Sequence, residues 1–498
     1  MSSTVLIVGA GPTGLTLACS LARQGVGVRV IEKSPGFQTG SRGKGLNPRS
    51  LEVLADFGIT ERLLGAGRER EVFRKYFDGE FITDTDPHED IRRTPDVPYP
   101  RGLFLPQTRV EQALREVLAG YGVEVELGCE LAGFDQDETR VTARLASGEE
   151  ILADYLVGCD GGRSTVRKRL GIAFEGSGDR ETAMVVGDVE LEGLEPGYWH
   201  QWFSAKGALL LYPFESTTTW QFQANPERDA DGRPVEPSPE GFQRIIEQHT
   251  GRTDVRVVGT SWISTWRVNV RLAERYRVGR VLLAGDAAHV HPIAGGLGMN
   301  TGIQDGWNLG WKLGYVLTGQ AGPGLIDSYP EERRPVAART LDITTAAMTT
   351  VAERSRTPGV GLEVVRSDDT TGLNVGYRWS SLATDGLDGV LQAGDRAPDA
   401  PLTDGEGRIV RLFELFAGSH FTLLAFGCPA PRLDGPVRGF AVDAGEDPLY
   451  DKDGHARRAY GIEGPALVLV RPDNHIALTA GSDGEEAVRG YLRRLRGL

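Results

Sequence analysis

A mixed α/β fold, in which a parallel-sheet domain is interleaved with an antiparallel sheet and followed by a separate C-terminal segment, is predicted from three stretches of this 498-residue sequence. The chain opens with TVLIVGAGPTGLTLACSLARQGVGVRVIE, which reads as strand, glycine turn, helix and strand. Residues 181–270 alternate short strand-like runs (ALLLYPF, TWQFQA, RVVGTSWIST) with turns, the pattern of an antiparallel sheet. From about residue 396, HFTLLAFG, PALVLVRPD and HIALTAG alternate with helical ends. A chain of this length exceeds one ordinary core, so several domains are expected.

Residues 4–8 are a continuous apolar run, as for a strand buried on both faces. Gly9 permits the tight turn that follows, Gly11 lets backbone approach a pyrophosphate, and Gly14 lets helix and strand pack closely. The helix N-terminus attracts phosphate, and Glu32 ends the second strand where a carboxylate can accept from both ribose hydroxyls. An acid there repels a 2′-phosphate, so this Rossmann-type unit selects FAD or NAD(H) over NADP(H). RGLFLPQTRVEQALREVLAGYGVEVEL predicts a helix from Thr108, with Thr108 and Glu111 as a capping box, and then a strand. ADYLVGCDGGRSTVRKRLGI predicts a strand through Val157, an Asp-Gly-Gly turn and a basic helix. Asp160 reads either as a group bonding near phosphates or as a structural Asx-turn. GRVLLAGDAAH returns to a buried strand, and DGWNLGWKLGYVL repeats apolar residues at Leu309, Leu313 and Val316, a helix with one buried face. The expected division is 1–180 and 271–350 for the dinucleotide domain, 181–270 with part of 75–105 for the sheet domain, 351–395 for a connector, and 396–498 for the last domain.

The net charge of −14 argues against a nucleic-acid partner and against an anionic membrane surface. Apolar runs such as VLIVGAG and LLLYPF are too short to span a bilayer, and MSSTVLIVGAG enters a strand without a charged-then-apolar leader. Cys19, Cys129, Cys159 and Cys428 stand far apart with no CxxC pair, so a reducing, cytoplasmic setting is expected. The stretch GDAAHVHPIAGGLGMNTGIQD, residues 285–305, admits a metal site, a phosphate cradle or a flavin pocket. Alternate histidines cannot easily ligate one ion together with Asp286, and no further His/Cys cluster supports them. No metal is therefore expected, and His289 and His291 read as structural or hydrogen-bonding residues.

Three motifs in order, GAGPTG with Glu32, CDGGRSTVRK at 159–168 and the 285–305 stretch, resemble those of the single-component FAD-dependent aromatic hydroxylases. This is the family of p-hydroxybenzoate hydroxylase and phenol hydroxylase, and the likeness is greatest to the bacterial aromatic polyketide hydroxylases. SRGKGLNPRSLEVL at 41–54 and LVRPDNHIAL extend the match over nearly the whole chain. The family's HPP(x)GGQGxN stands here as HPIAGGLGMN, with Ile293 and Leu297 in place of a second proline and a glutamine. Lys44 follows Gly43 at a position where related chains vary. The last segment resembles the family's thioredoxin-like domain. Its one cysteine, Cys428 in GCPAP, leaves no pair for disulfide exchange, so a structural or dimer-shaping role is expected.

The resemblance implies an FAD monooxygenase that takes electrons from NADPH or NADH, forms a flavin C4a-hydroperoxide with O2, and hydroxylates a polycyclic phenol of antibiotic type. Cofactor contacts are expected from Gly9, Gly11, Thr13, Gly14, Glu32, Lys33, Arg42, Gln107, Asp160, Asp286, Gly298, Met299 and Asn300. Among these, Arg42 matches an arginine at the FAD phosphate and Gln107 a polar residue on the ribityl side. Asp286 would reach a polyol hydroxyl, and the helix opened by GGLGMN would set its positive end against anionic reduced flavin. Pro292 and Gly298 would position the ring, with no acid or base assigned. The sequence has no second strand–GxGxxG–helix unit, so the nicotinamide coenzyme is expected to dock transiently on the FAD domain. Arg163, Arg167 and Lys168 read either as its phosphate ligands or as a solvated face. Trp202, Tyr212, Phe214, Trp220 and Phe222 are the aromatic candidates for a cleft that stacks on a flat substrate, although most strand aromatics are ordinary core. The alternatives are Baeyer–Villiger oxygen insertion on a polyketide and an FAD-containing ligand carrier without catalysis; the oligomer considered is a homodimer.

Overall fold

Three apolar strands that are remote in sequence lie side by side in the computed structural model, which describes residues 4–498 apart from 216, 293, 355, 366, 385 and 388–390. Ile293 therefore lies outside the described residues. The six-stranded sheet runs Arg277–Val278, Val281–Leu283, Tyr155–Gly158, Thr4–Val8, Gly27–Glu32, Val125–Leu127, parallel except for its antiparallel first strand. Val5, Leu6 and Ile7 are fully buried, each contributing roughly 1.5–3 kcal/mol. The register sets Val8 beside Gly158 and Ile31, and Gly158 beside Leu283. The turns after these strands, at Gly9, Cys159 and Ala284, therefore leave the sheet along one edge. Ligand sites in parallel sheets form at that edge.

An eight-stranded sheet follows the order His289–Val290, Arg256–Ala273, Phe174–Glu192, Thr219–Ala224, Gly207–Pro213, Tyr198–Ser204, Val72–Phe77, Glu80–Thr85. Pairing is antiparallel except between Tyr198–Ser204 and Val72–Phe77. The residues HV of HVHP pair with Leu272 and Arg271, so the 285–305 stretch is itself the first strand of this sheet. The helix Pro239–Thr250 covers one face. Ser238 Oγ accepts from Gly241 N (3.1 Å) at its start, Gly251 ends it in the left-handed region, and Phe242, Ile245 and Ile246 turn inward.

The helix Leu297–Leu317 departs from the expectation of one buried face: it is buried nearly all round from Asn300 to Tyr315. Apolar periodicity missed the cause, a row of glycines packed against the helix Pro12–Ala22 and the turn after it. A Cβ on Gly302 would fall 2.3 Å from Thr13 Oγ1, one on Gly306 2.6 Å from Thr13 O, and one on Gly310 2.4 Å from Ser20 Cβ. Its other side carries Trp311 and Tyr315 into a core with Phe421, Leu469 and Tyr491 of the C-terminal unit. That unit has a sheet ordered Val437–Val442, Phe421–Phe426, Ala466–Val470, Ile476–Gly481, the first pair parallel and the others antiparallel. It is consistent with the thioredoxin-like expectation. No helix among the described residues is long and apolar enough to cross a membrane.

Candidate functional site

At the pyrophosphate end, Gly9 leaves its strand at φ 108°, and a Cβ there would lie 2.3 Å from Cys159 O. A Cβ on Gly14 would lie 2.1 Å from Gly9 O, whereas one on Gly11 would meet nothing within 4 Å. Two glycines thus close the turn, and the third leaves open the space before the unpaired N–H groups of the first helix. Glu32 accepts from Ala10 N (3.2 Å) and Ser34 N (3.0 Å), which fixes its carboxylate at the rim. Lys33 is exposed. Thr13 points its hydroxyl between Gly285 and Gly302, 2.4 and 2.3 Å from their Cβ positions, and so packs the two turns together. Asp160 takes the structural reading with one oxygen and leaves the other unused. Oδ2 accepts from Thr165 N (2.6 Å) and Val166 N (3.2 Å), while Oδ1 is buried without a partner.

Of the three basic residues offered for coenzyme phosphates, Arg163 and Lys168 are exposed. Arg167 is buried: it donates to Ala287 O (2.9 Å) and Gly162 O (3.0 Å) and lies over the Phe174 ring. It braces the turn at 285–287, with both terminal nitrogens already donating to backbone carbonyls.

At the flavin end, Asp286 is open to solvent and has no hydrogen-bond partner among the described residues. The protein crowded round it still raises its pKa by desolvation, against the pull of His289 and Arg42. Arg42 is exposed, bonds only Gln38 (3.3 Å), and faces the same groove. Gly295 and Gly296, at φ 80° and 63°, turn the chain into the long helix. Asn300 accepts from Asn47 N (2.8 Å) and donates to Gly45 O (3.1 Å) and Gly296 O (2.8 Å). Gln107 exchanges hydrogen bonds with Gly43 through its backbone N (3.0 Å) and Oε1 (3.0 Å), and Met299 Sδ sits 3.3 Å from the Gly43 Cβ position. These three residues clasp the segment 43–47 against the helix start. The clasp also corrects the predicted cap. Held by Gly43, Gln107 rather than Thr108 begins the helix, Pro106 takes the N-cap position without a side-chain bond, and Glu111 accepts from Gln107 Nε2 (2.7 Å).

Beneath the turn, the sequence analysis missed Asp305 and Arg333. Fully buried Asp305 accepts from Gly285 N (3.0 Å), His289 Nε2 (2.6 Å) and Arg333 Nε (2.7 Å). Burial alone would raise its pKa, but Arg333 and His289 outweigh that and hold it down at about 2. His289 Nδ1 meets His291 Nε2 at 2.7 Å, and burial, with His289 beside it, pushes the His291 pKa well below the usual range. When both rings are neutral, ionised Asp305 fixes the proton on His289 Nε2; His291 Nε2 must then donate to His289 Nδ1. That leaves His291 Nδ1 as a buried, unpartnered acceptor. The His291 ring lies 3.8 Å from the Gly298 Cβ position, and Pro292 is buried next to it. The signal available in the sequence was the single carboxylate of a helix whose one other charged residue is Lys312.

The sheet divides the five aromatic candidates. Trp202, Trp220 and Phe222 lie in the core beneath the helix Pro239–Thr250, with Phe222 stacked on Phe242 at 4.0 Å. This corrects their assignment to the cleft: strand alternation placed them on the covered face. Tyr212 and Phe214 lie in a separate cluster with Phe73 and Trp199, against Phe104. The same face carries Gln221, which donates to Ser41 O (2.8 Å), and Asp188, which accepts from Ser41 N (2.7 Å). It therefore looks onto the loop that Gln107 and Asn300 clasp.

An FAD-binding-domain family model matches residues 2–344, and a model of the C-terminal part of aromatic-ring hydroxylases matches 391–497. The chain belongs to the FAD-dependent aromatic-ring hydroxylases. A flavin-dependent monooxygenase of Mycobacteroides abscessus is 40% identical over 507 residues, covering 99% of this chain and all of that one. A rifampicin monooxygenase of Streptomyces venezuelae is 42% identical over 354 residues, covering 69% and 70% of the two chains. The crystal structure of aklavinone-11 hydroxylase with FAD and aklavinone superposes with a TM-score of 0.82 at 30% identity, covering 100% of this chain and 99% of that one. Like these hydroxylases, the chain is an FAD-dependent monooxygenase. The geometry fits the cofactor: an open glycine turn, a fixed acid at Glu32 and an unpartnered Asp286 lie along one sheet edge.

Proposed function

We propose that this hydroxylase uses NADPH or NADH and O2 to place a hydroxyl group on an aromatic polyketide. The observation that carries the reading is the aromatic face of Trp199, Tyr212 and Phe214, set on the sheet whose first strand is His289–Val290 of the flavin turn. Relatives named for rifampicin and aklavinone support the substrate class. Bound FAD would supply the two-electron chemistry and the activation of O2.

The chain's own residues do the rest. Gly11 and the first helix take the pyrophosphate, Glu32 the ribose, and Asp286 a ribityl hydroxyl. Arg42 would reach for the phosphates, and the helix beginning at Leu297 would present its positive end to the flavin, with Pro292 and Gly298 beside the ring. Gln107, Met299 and Asn300 hold the 43–47 loop as one wall of the cleft. Phe214, at the edge of a pocket with Ser41, Asp188 and Thr219, would offer apolar area to a planar ring, with buried Tyr212 packed behind it.

The test is oxygen uptake and NAD(P)H oxidation across hydroxyanthraquinones, with product structure followed by mass and NMR under ¹⁸O₂. A new phenol carrying one labelled oxygen is expected, with coenzyme oxidation accelerated by the aromatic ligand. A lactone or ester product would replace hydroxylation by Baeyer–Villiger insertion. Ligand binding without any coenzyme oxidation would make the protein a carrier and end the proposal.

A further inference from the structure

Lys44 stands out on the cleft wall. Its backbone lies within the clasped loop, with Lys44 O accepting from Leu105 N (3.1 Å) between the Gln107 and Asn300 contacts. Its side chain reaches the sheet, where Nζ lies 4.7 Å from the centre of the Trp199 ring. Nζ makes no hydrogen bond or ion pair among the described residues, which is unusual for so strongly hydrated a group. Two more polar atoms nearby are unspent: Trp199 Nε1 and Tyr212 OH are both buried without partners, and the two rings meet edge-on at 5.2 Å. Buried polar atoms are normally satisfied, so two buried unsatisfied donors beside an amine that has no hydrogen-bond partner point to a ligand acceptor.

We propose that Lys44, with Trp199 Nε1 and Tyr212 OH beside it, recognises an acidic phenolic or enolic oxygen of the aromatic substrate and holds it as the anion. This rests on the aromatic-hydroxylase reading above and names the substrate feature that the site selects. The proton balance is simple. A neutral lysine amine takes the proton from the phenol O–H, and the resulting ammonium pairs with the phenolate. Packing makes that exchange accessible: burial pulls the Lys44 pKa down to about 7, although the nearby Glu71 pulls it up, and its side chain keeps some access to solvent. A phenolate donates more electron density to its ring than a phenol, which favours electrophilic oxygen transfer ortho or para to that oxygen. Electrostatic capture also explains how a protein of net charge −14 can hold an anionic ring.

The experiment uses the FAD-loaded enzyme with 1,8-dihydroxyanthraquinone, whose visible spectrum reports ionisation, and its dimethyl ether as a control of equal shape. Wild type should bind the phenol with the red-shifted spectrum of the anion. Lys44→Met should retain FAD, bind the phenol about tenfold more weakly or worse, lose the red shift, and bind the ether unchanged. Lys44→Arg should keep the affinity. Equal phenol affinity and equal ionisation in Lys44→Met would overturn the assignment while leaving the hydroxylase reading intact, and so would an equal loss for both probes. If wild type binds neither probe and neither stimulates coenzyme oxidation, the polycyclic-phenol reading falls and takes the Lys44 role with it.

Discussion

Two polar regions meet along the helix Leu297–Leu317, one of them wholly buried. On the C-terminal side, Lys312 donates to Glu332 (2.6 Å), Arg471 pairs with both Glu332 (2.7 Å) and Asp473 (2.6 Å), and Asn308 bonds to Glu332 (2.7 Å). Arg49, Glu52 and Arg396 extend the seam, and Arg49 reaches Asp473 O (3.1 Å). Every ionised group named there has a protein partner. On the cofactor side, Asp286, Lys44 Nζ, one oxygen of Asp160 and Nδ1 of His291 have no hydrogen-bond or ion-pair partner among the described residues. Spent charges weld the C-terminal unit to the FAD domain, and unspent ones are what the proposed ligands would meet. His291 is buried like the seam, so burial alone does not assign a group to one region or the other; partner accounting does.

The sharpest way to break this comparison is Glu332→Ala. It strands Lys312 and leaves Arg471 with Asp473 alone, and should destabilise the holoenzyme by about 3–5 kcal/mol, read as a large drop in the thermal unfolding temperature. An unchanged transition would mean the seam is ornamental. Gly306→Ala comes next: its new Cβ would meet backbone, 2.6 Å from Thr13 O and 3.0 Å from Leu17 N. A cost of roughly 1–3 kcal/mol is expected. Gly314→Ala should cost much less, because its Cβ meets only the flexible end of Gln24, at 2.1 Å. Reversal of that order in chemical denaturation would discredit the helix contact.

Asp286→Ala acts on the other region. It should weaken FAD by roughly 1–3 kcal/mol in a flavin fluorescence titration, yet leave apoprotein unfolding where it was. If unfolding shifts instead, Asp286 belongs with the spent charges. Asp305 adds a pH test. Its pKa is depressed in the folded state, so the stability it adds is fully present above its unfolded value, about pH 4. That stability is lost as pH falls towards about 2. The advantage of wild type over Asp305→Asn should therefore shrink across that window; an advantage independent of pH would refute the charge argument. The smallest effect separates the aromatics. Tyr212→Phe should change ligand affinity with little loss of stability, and Phe222→Leu should do the opposite.

The dinucleotide turn, both sheets and the glycine-opened helix were legible because each is written in contiguous residues: GAGPTG with Glu32, alternating strands, and GGLGMN before an apolar run. What stayed hidden depends on pairings between distant segments. Nothing near Thr108 announces that Gly43 will hold Gln107 and move the helix start. Alternation shows that Trp202, Trp220 and Phe222 share a face, but which face is covered depends on where the helix Pro239–Thr250 lands. Asp305 needed Arg333 and His289 to become visible, and Lys44 needed Trp199.

The glycine row between the two helices has a last consequence. Thr13 is wedged against both Gly285 and Gly302, so the turn that grips the adenosine half of the cofactor and the turn that grips the flavin half cannot slide past each other. They behave as the fixed jaws of a calliper set to one length. A flavin cut short at its pyrophosphate would fill a single jaw, so the cofactor would be gauged by its span before any side chain inspects its chemistry.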